Sequence, residues 1–200
     1  MIKNRMDLEE YLLWDKIALG KEELKRPRIF RDEIWRFEIL LRYCEYYNNK
    51  KKNIFQKLLF LLIKYKFHNY SIKLGFSIPL NVADKGLSIA HYGSIVINSN
   101  AKIGKNCRIQ ENVTIGATGG NNDSPILGDN VFIASGARLI GNIIIGNEVS
   151  IGANAVVTRS FPQNHITLAG VPARIISSKG SEGFIKYKAK ELYYDRNSNN

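Results

Sequence analysis

The run from Leu127 to Val157, LGDNVFIASGARLIGNIIIGNEVSIGANAVV, places an aliphatic residue at every sixth position: Leu127, Ile133, Leu139, Ile145, Ile151 and Val157. Upstream, Ile97, Ile103, Ile109 and Ile115 keep the same register, with one gap of twelve residues between Ile115 and Leu127. Four residues after most anchors stands a second candidate for the interior that is small or β-branched: Ala101, Cys107, Val113, Val131, Ala137, Ile143, Val149 and Ala155. Glycine often follows the anchor, as at Gly104, Gly116, Gly128, Gly146 and Gly152, and Asn, Asp, Lys and Ser fill the intervening positions, which is turn chemistry between very short strands. A helix with 3.6 residues per turn cannot keep every sixth residue on one face, and a sandwich predicts alternation with irregular turns. A triangular coil of three short strands satisfies the pattern.

Upstream of this region the period changes. Residues 1–75 read as α-helical, with Leu8, Tyr11, Leu12 and Trp14 beginning one apolar face and Ile34, Phe37, Leu40, Leu41 and Cys44 forming another. Asp32 is placed to cap the second helix. After Lys50-Lys51-Lys52, the stretch IFQKLLFLLIKYKF predicts a third helix, read first as buried with snorkelling lysines. The alternative for that helix is peripheral contact with an anionic membrane. The expected organisation is a helical region over 1–75, a β-coil domain over 76–176 and a tail over 177–200.

The chain has 200 residues and a formal charge of +11, which suits polyanions in general without selecting one. The lysines are scattered, with no aromatic-interleaved patch or known module, so nucleic acid is not an expected partner. Only Cys44 and Cys107 are present, far apart, so neither a disulfide framework nor a cysteine metal site is expected. The N-terminus carries acids where a signal peptide needs an apolar core, and no run reaches the length of a membrane span, so the sequence reads as cytoplasmic.

Three segments carry a family resemblance: AHYGSIVIN at residues 90–98, CRIQENVTIGATGG at 107–120, and IGANAVVTRSFP from Ile151 followed by AGVPARII at 169–176. With the sustained six-residue register, they are similar to the hexapeptide-repeat acyltransferases, and within them to the serine acetyltransferase branch and its capsule and exopolysaccharide relatives. The resemblance implies a left-handed parallel β-helix, a homotrimer, and acetyl-CoA as acetyl donor bound in the cleft between neighbouring β-helices.

His91 stands one repeat before the aliphatic series. A satisfied structural histidine at the join of the two regions is the bland reading. The resemblance instead implies the catalytic general base, and neutral imidazole is the side chain suited to take a hydroxyl proton near neutral pH. Ala90 stands where serine acetyltransferases have an aspartate, which leaves Asp84, Glu111 or a backbone carbonyl as candidates to orient His91. His165 and His68 have no supporting motif. By resemblance, acetyl-CoA would contact Ala117, Thr118, Ser135 and Ala153, with Arg174 and Lys179 near its nucleotide end.

The loop from Ala117 to Pro125 carries Asp123 and Ser124 where the family holds its amino acid with an Arg-His pair. A site that loses a cation and gains an acid is poorly matched to a carboxylate. Asn121, Asn122, Asp123 and Ser124 therefore read as contacts to an uncharged sugar or glycan acceptor. The function expected from the sequence is an acetyl-CoA-dependent sugar O-acetyltransferase of capsular, exopolysaccharide or lipopolysaccharide biosynthesis. The alternatives are serine O-acetyltransferase of cysteine biosynthesis, and a non-catalytic trimeric scaffold.

Overall fold

The computed structural model describes residues 1–119 and 123–185. Three helices come first: α1 (Arg5–Ala18), α2 (Glu33–Asn48) and α3 (Ile54–Leu74). Asn4 and Asn53 cap α1 and α3, each accepting from the backbone N–H three residues on, while Asp7 and Gln56 bond back to the cap residue. Asp32 precedes α2 but its side chain makes no cap bond. Its carboxylate instead accepts from the backbone N–H and Nε of Arg28 and from Lys21 Nζ, each at 2.8 Å. The expected cap is thus replaced by a local ion-pair cluster.

The strands follow in a threefold rotation: β1 (Phe76–Ser77), β2 (Ser88–Ile89), β3 (Ile95–Ile97), β4 (Lys102–Ile103), β5 (Arg108–Ile109), β6 (Val113–Gly116), β7 (Ile126–Leu127), β8 (Phe132–Ile133), β9 (Arg138–Ile140), β10 (Ile144–Ile145), β11 (Ser150–Ile151) and β12 (Val156–Val157). They stack into three parallel sheets, β1-β3-β6-β9-β12, β4-β7-β10 and β2-β5-β8-β11, which form the faces of a triangular coil. β13 (Thr167–Gly170) continues the third face, and β14 (Ala173–Ser177) turns back on it antiparallel, closing the coil with the AGVPAR segment.

Every anchor from Ile97 to Val157 is buried, as are the secondary positions Ala101, Cys107, Val113, Val131, Ala137, Ile143, Val149 and Ala155. One turn of the coil takes 18 residues, as in the pairings of Ile97 with Ile115 and Leu127 with Ile145. Ile115 pairs with Leu139, 24 residues on, so the twelve-residue gap is six residues of loop looped out of one corner. Asn106, Asn112, Asn130, Glu148 and Asn154 lie three residues before their anchors in the left-handed region, φ 55–60°, a conformation that Asn tolerates better than most residues. Gly128 is required for a different reason. A Cβ there would lie 2.8 Å from the Gly146 backbone of the next coil and 2.5 Å from Asn147 Oδ1.

The first coil has no coil before it, and its outward N–H groups need partners. Carboxylates from the helices supply them. Asp15 of α1 accepts from Gly86 and Leu87 at 2.7 and 2.9 Å, Glu38 of α2 from Ile89 at 3.0 Å, and Glu45 from Asn81 at 2.8 Å. Arg42, fully buried, neutralises this group by donating to Asp15 and Glu45 and to the carbonyls of Ala83 and Asp84. Burial pushes the Glu38 carboxyl well up, with the neighbouring charge of Asp15 adding to it.

The third helix differs from the buried reading. Phe67 stacks on Phe37 with centroids 5.2 Å apart, and Phe37 meets Phe76 edge-on, so one side of α3 is seated on α2 and the first strand. Ile54, Phe55, Leu58, Leu61, Leu62, Tyr65 and Ile72 on the other side are exposed, and Leu74 is the helix's one fully buried residue. A run this uniformly apolar has no sequence signal for which side is covered. Among the described residues no helix is long and apolar enough to cross a membrane.

Candidate active site

His91 does not occupy an inward slot. Ile89 pairs with Ile109 across 20 residues, not 18, so the turn between β2 and β3 holds two extra residues and the register slips. Ile89 fills the interior position, and His91 with Tyr92 is displaced outward into the turn and exposed. The expected break in an aliphatic series is therefore an insertion that lifts an imidazole off the coil.

The lifted turn is tied on three sides. Ala90 donates to the Ile109 carbonyl at 2.9 Å, Gly93 to the Leu74 carbonyl at 3.3 Å, and the Tyr92 hydroxyl to Glu33 at 3.2 Å. Gly93 has φ 133° and sits directly over Glu111, where a Cβ would come within 2.9 Å of the Glu111 Cβ. Glu111 thus lies on the same corner one coil further on. Nearby hydrogen-bonding groups, Ser135 first among them, hold the Glu111 carboxyl below its usual range, although the Ser135 hydroxyl and N–H both reach Gln110 Oε1, at 3.1 and 3.0 Å. Glu111 Oε2 is buried and has no hydrogen-bond partner among the described residues. Asp84, the other acid considered for His91, accepts instead from the Tyr11 hydroxyl at 2.5 Å and fastens α1 to the coil.

His91 opens into a cavity of about 270 Å³ between the helical region and the first two coils. Its wall includes Lys21, Arg31, Asp32 and Trp35 from the helical side and Ser88, Ala90 and Arg108 from the strands. Sequence reasoning missed the two arginines, which lie far apart in the chain and carry no motif. The one signal available was that Arg108 follows Cys107 at an outward position of its strand.

The residues expected to contact acetyl-CoA fall on two corners. Ser135 and Ala153 continue the His91 corner on successive coils, and Gly152, beside Ala153, lies against Ala169 of the closing hairpin, whose register partner is Arg174. Arg174 and Lys179 are exposed. Ala117 and Thr118 lie on the next corner, where Thr118 Oγ1 approaches Gly141 of the following coil. Asn121 and Asn122 lie outside the described residues. Asp123 is exposed and accepts from Asn142 at 3.3 Å. Ser124 is buried, with its hydroxyl unpartnered among the described residues. One whole face, carrying β6, separates this loop corner from His91, and the structure does not bring the two together within one protomer.

His165 is exposed beside Glu148 and Glu182 at 3.4 and 3.6 Å, and His68 lies on the outer side of α3. Burial pushes both cysteine thiols up to about 12, so neither is a ready nucleophile.

Residues 124–159 match the family described as bacterial transferase hexapeptide (six repeats). A serine acetyltransferase of Staphylococcus aureus (strain Mu50) is 43% identical over 98 residues, 48% of this chain and 46% of the relative. That match spans about half the length of the curated relative. The crystal structure of a serine O-acetyltransferase from Brucella melitensis is 26% identical with a TM-score of 0.65, covering 88% of this chain and 71% of that one. A serine acetyltransferase from Brucella abortus strain S19, solved in complex with coenzyme A, is similar in fold, with a TM-score of 0.65 at 23% identity over 88% of this chain and 70% of that one.

The coil of this protein is the left-handed parallel β-helix of the hexapeptide-repeat transferases, preceded by a helical region. Its similarity within that family is to the serine acetyltransferases. These relatives overturn the sugar-acceptor expectation and, with it, a role in polysaccharide biosynthesis. The physical reason lies in the cavity. The inference from Asp123 and Ser124 assumed that a cation for the acceptor could come only from that loop, whereas Arg31 and Arg108 supply positive charge beside His91 from elsewhere.

Proposed function

We propose that the protein is an acetyl-CoA-dependent serine O-acetyltransferase, the activity that its relatives carry in their names. The observation that carries this reading is His91, lifted by a two-residue insertion into a small cavity walled by arginines. A volume near 270 Å³ sits at the low end for ligand sites and suits an acceptor the size of an amino acid.

In the proposed reaction, His91 takes the proton from the serine hydroxyl as that oxygen attacks the thioester carbonyl of acetyl-CoA. The tetrahedral adduct collapses with breakage of the C–S bond. The departing CoA sulfur takes the proton back from the imidazolium, giving O-acetylserine and CoA. Glu111 orients the imidazole and favours its charged form during the transfer, replacing the missing acid at Ala90. Acetyl-CoA would run along the His91 corner past Ser135 and Ala153, with its phosphates near Arg174 and Lys179. Contacts from Ala117, Thr118 and the 117–125 loop belong to another corner, so a site using both corners needs two protomers. That requirement favours a homotrimer with sites between subunits.

Thiol release followed with purified protein, acetyl-CoA and L-serine tests the proposal. Steady, serine-dependent release of CoA is expected, and background release alone would overturn the reading.

A further inference from the structure

Serine brings a carboxylate as well as a hydroxyl, and the loop expected to hold it carries the wrong charge. Asp123 is an acid and Ser124 is buried. The cavity around His91 offers another solution. Its one lining acid, Asp32, is already neutralised by Lys21 and Arg28. Lys21 is thereby committed. Arg108 is not: its Nη1 donates to the Ser88 hydroxyl at 3.2 Å, and it forms no ion pair among the described residues. Ser88 is its register partner on the adjacent strand, so the guanidinium projects from the same face of the coil that the helices cover.

We propose that Arg108 is the binding group for the acceptor's carboxylate, with Arg31 at the cavity mouth as a second cation; this rests on the serine acetyltransferase reading above. A planar guanidinium receives a carboxylate through two parallel N–H bonds, which fixes the orientation of the bound acid as well as its charge. Desolvation lowers the guanidinium pKa of Arg108, as expected for a half-buried cation that has no ion-pair partner among the described residues. Arg108 lies on β5 beside β2, the strand that leads into His91, and lines the same cavity, so a carboxylate held there leaves the hydroxyl end of a small amino acid within the same cavity as the imidazole. The ligand class is an α-amino or α-hydroxy acid bearing a free hydroxyl on the neighbouring carbon, and neutral polyols lack the group that Arg108 would hold.

The test compares initial rates of CoA release by the wild type and by Arg108→Ala, Arg108→Lys and Arg31→Ala, using L-serine and L-serine amide as acceptors. Arg108→Ala should raise KM for L-serine on the order of 10- to 100-fold, the range expected for a lost charged hydrogen-bonded contact, with KM for acetyl-CoA unchanged. Arg108→Lys, which keeps the charge and loses the fork, should fall between, and Arg31→Ala should show a smaller effect. L-serine amide should be a poor acceptor for the wild type and equally poor for Arg108→Ala. An unchanged KM for acetyl-CoA also certifies that the variants are folded. If the wild type accepts the amide as well as L-serine, or if Arg108→Ala shifts KM for acetyl-CoA instead, the carboxylate site is overturned while serine acetyl transfer stands. If the wild type releases no CoA with L-serine, the functional reading fails and this inference fails with it.

Discussion

Arg42→Ala should be the most damaging single substitution in the joint between helices and coil. The side chain is fully buried and donates five hydrogen bonds: Nε and Nη2 to Asp15 at 2.6 and 3.3 Å, Nη1 to Glu45 at 2.9 Å, and Nη1 and Nη2 to the carbonyls of Ala83 and Asp84, both at 2.8 Å. Truncation leaves Asp15 and Glu45 as buried carboxylates without their cation and strands two backbone carbonyls. Asp15 retains the N–H groups of Gly86 and Leu87, and Glu45 retains that of Asn81, so the loss is partial. Breaking a buried pair in this way costs about 3–5 kcal/mol. Burial already raises the Asp15 carboxyl, with Arg42 acting against that shift. Without Arg42 the folded-state pKa climbs further above the unfolded value, the folded form binds the extra proton, and stability falls as pH rises. The penalty should therefore be larger at pH 8 than at pH 5. Urea unfolding followed by the fluorescence of Trp14 and Trp35, both buried in the helical region, measures it. A loss below about 1 kcal/mol at pH 8, or a penalty that grows as pH falls, would refute the reasoning.

Gly128→Ala should destabilise the coil by roughly 1–3 kcal/mol, because its Cβ would collide with the backbone of the next coil, whereas Gly116→Ala meets the side chains of Ile140 and Thr114 at ordinary contact distances of 3.4 and 3.6 Å and should be nearly neutral; paired thermal melts check the contrast. Glu111→Gln should lower kcat/KM for acetyl transfer roughly tenfold with the denaturant midpoint unchanged, because the acid on the His91 corner loses its charge. A midpoint that falls along with activity would make Glu111 merely structural.

The coil was legible because its physics is local. A core of one aliphatic residue per six writes itself into the sequence, and the pairings of Ile97 with Ile115 and Ile133 with Ile151 follow from counting. The count failed where the chain departs from the repeat. Extrapolating the register one step back would give His91 an inward slot, but the two inserted residues give that slot to Ile89. The acceptor pocket was illegible for another reason. Arg31 and Arg108 share a cavity only because Glu38 and Asp15 fasten the helices over the first coil, and nothing in the sequence marks those acids as partners of backbone N–H groups. The third helix shows the same limit, since its continuous apolar run carries no periodicity from which to choose a buried side.

The most direct test of the central claim is kcat/KM for acetyl transfer to L-serine by His91→Ala, measured against the wild type with both proteins shown to unfold at the same denaturant concentration. The His91 side chain is exposed, and the bonds that tie its turn come from Ala90, Tyr92 and Gly93, so stability should be retained. Loss of the general base should lower kcat/KM on the order of 10²- to 10⁴-fold. A folded variant that turns over L-serine within threefold of the wild type, on the order of 0.6 kcal/mol in barrier, would contradict the assignment of His91 as the base.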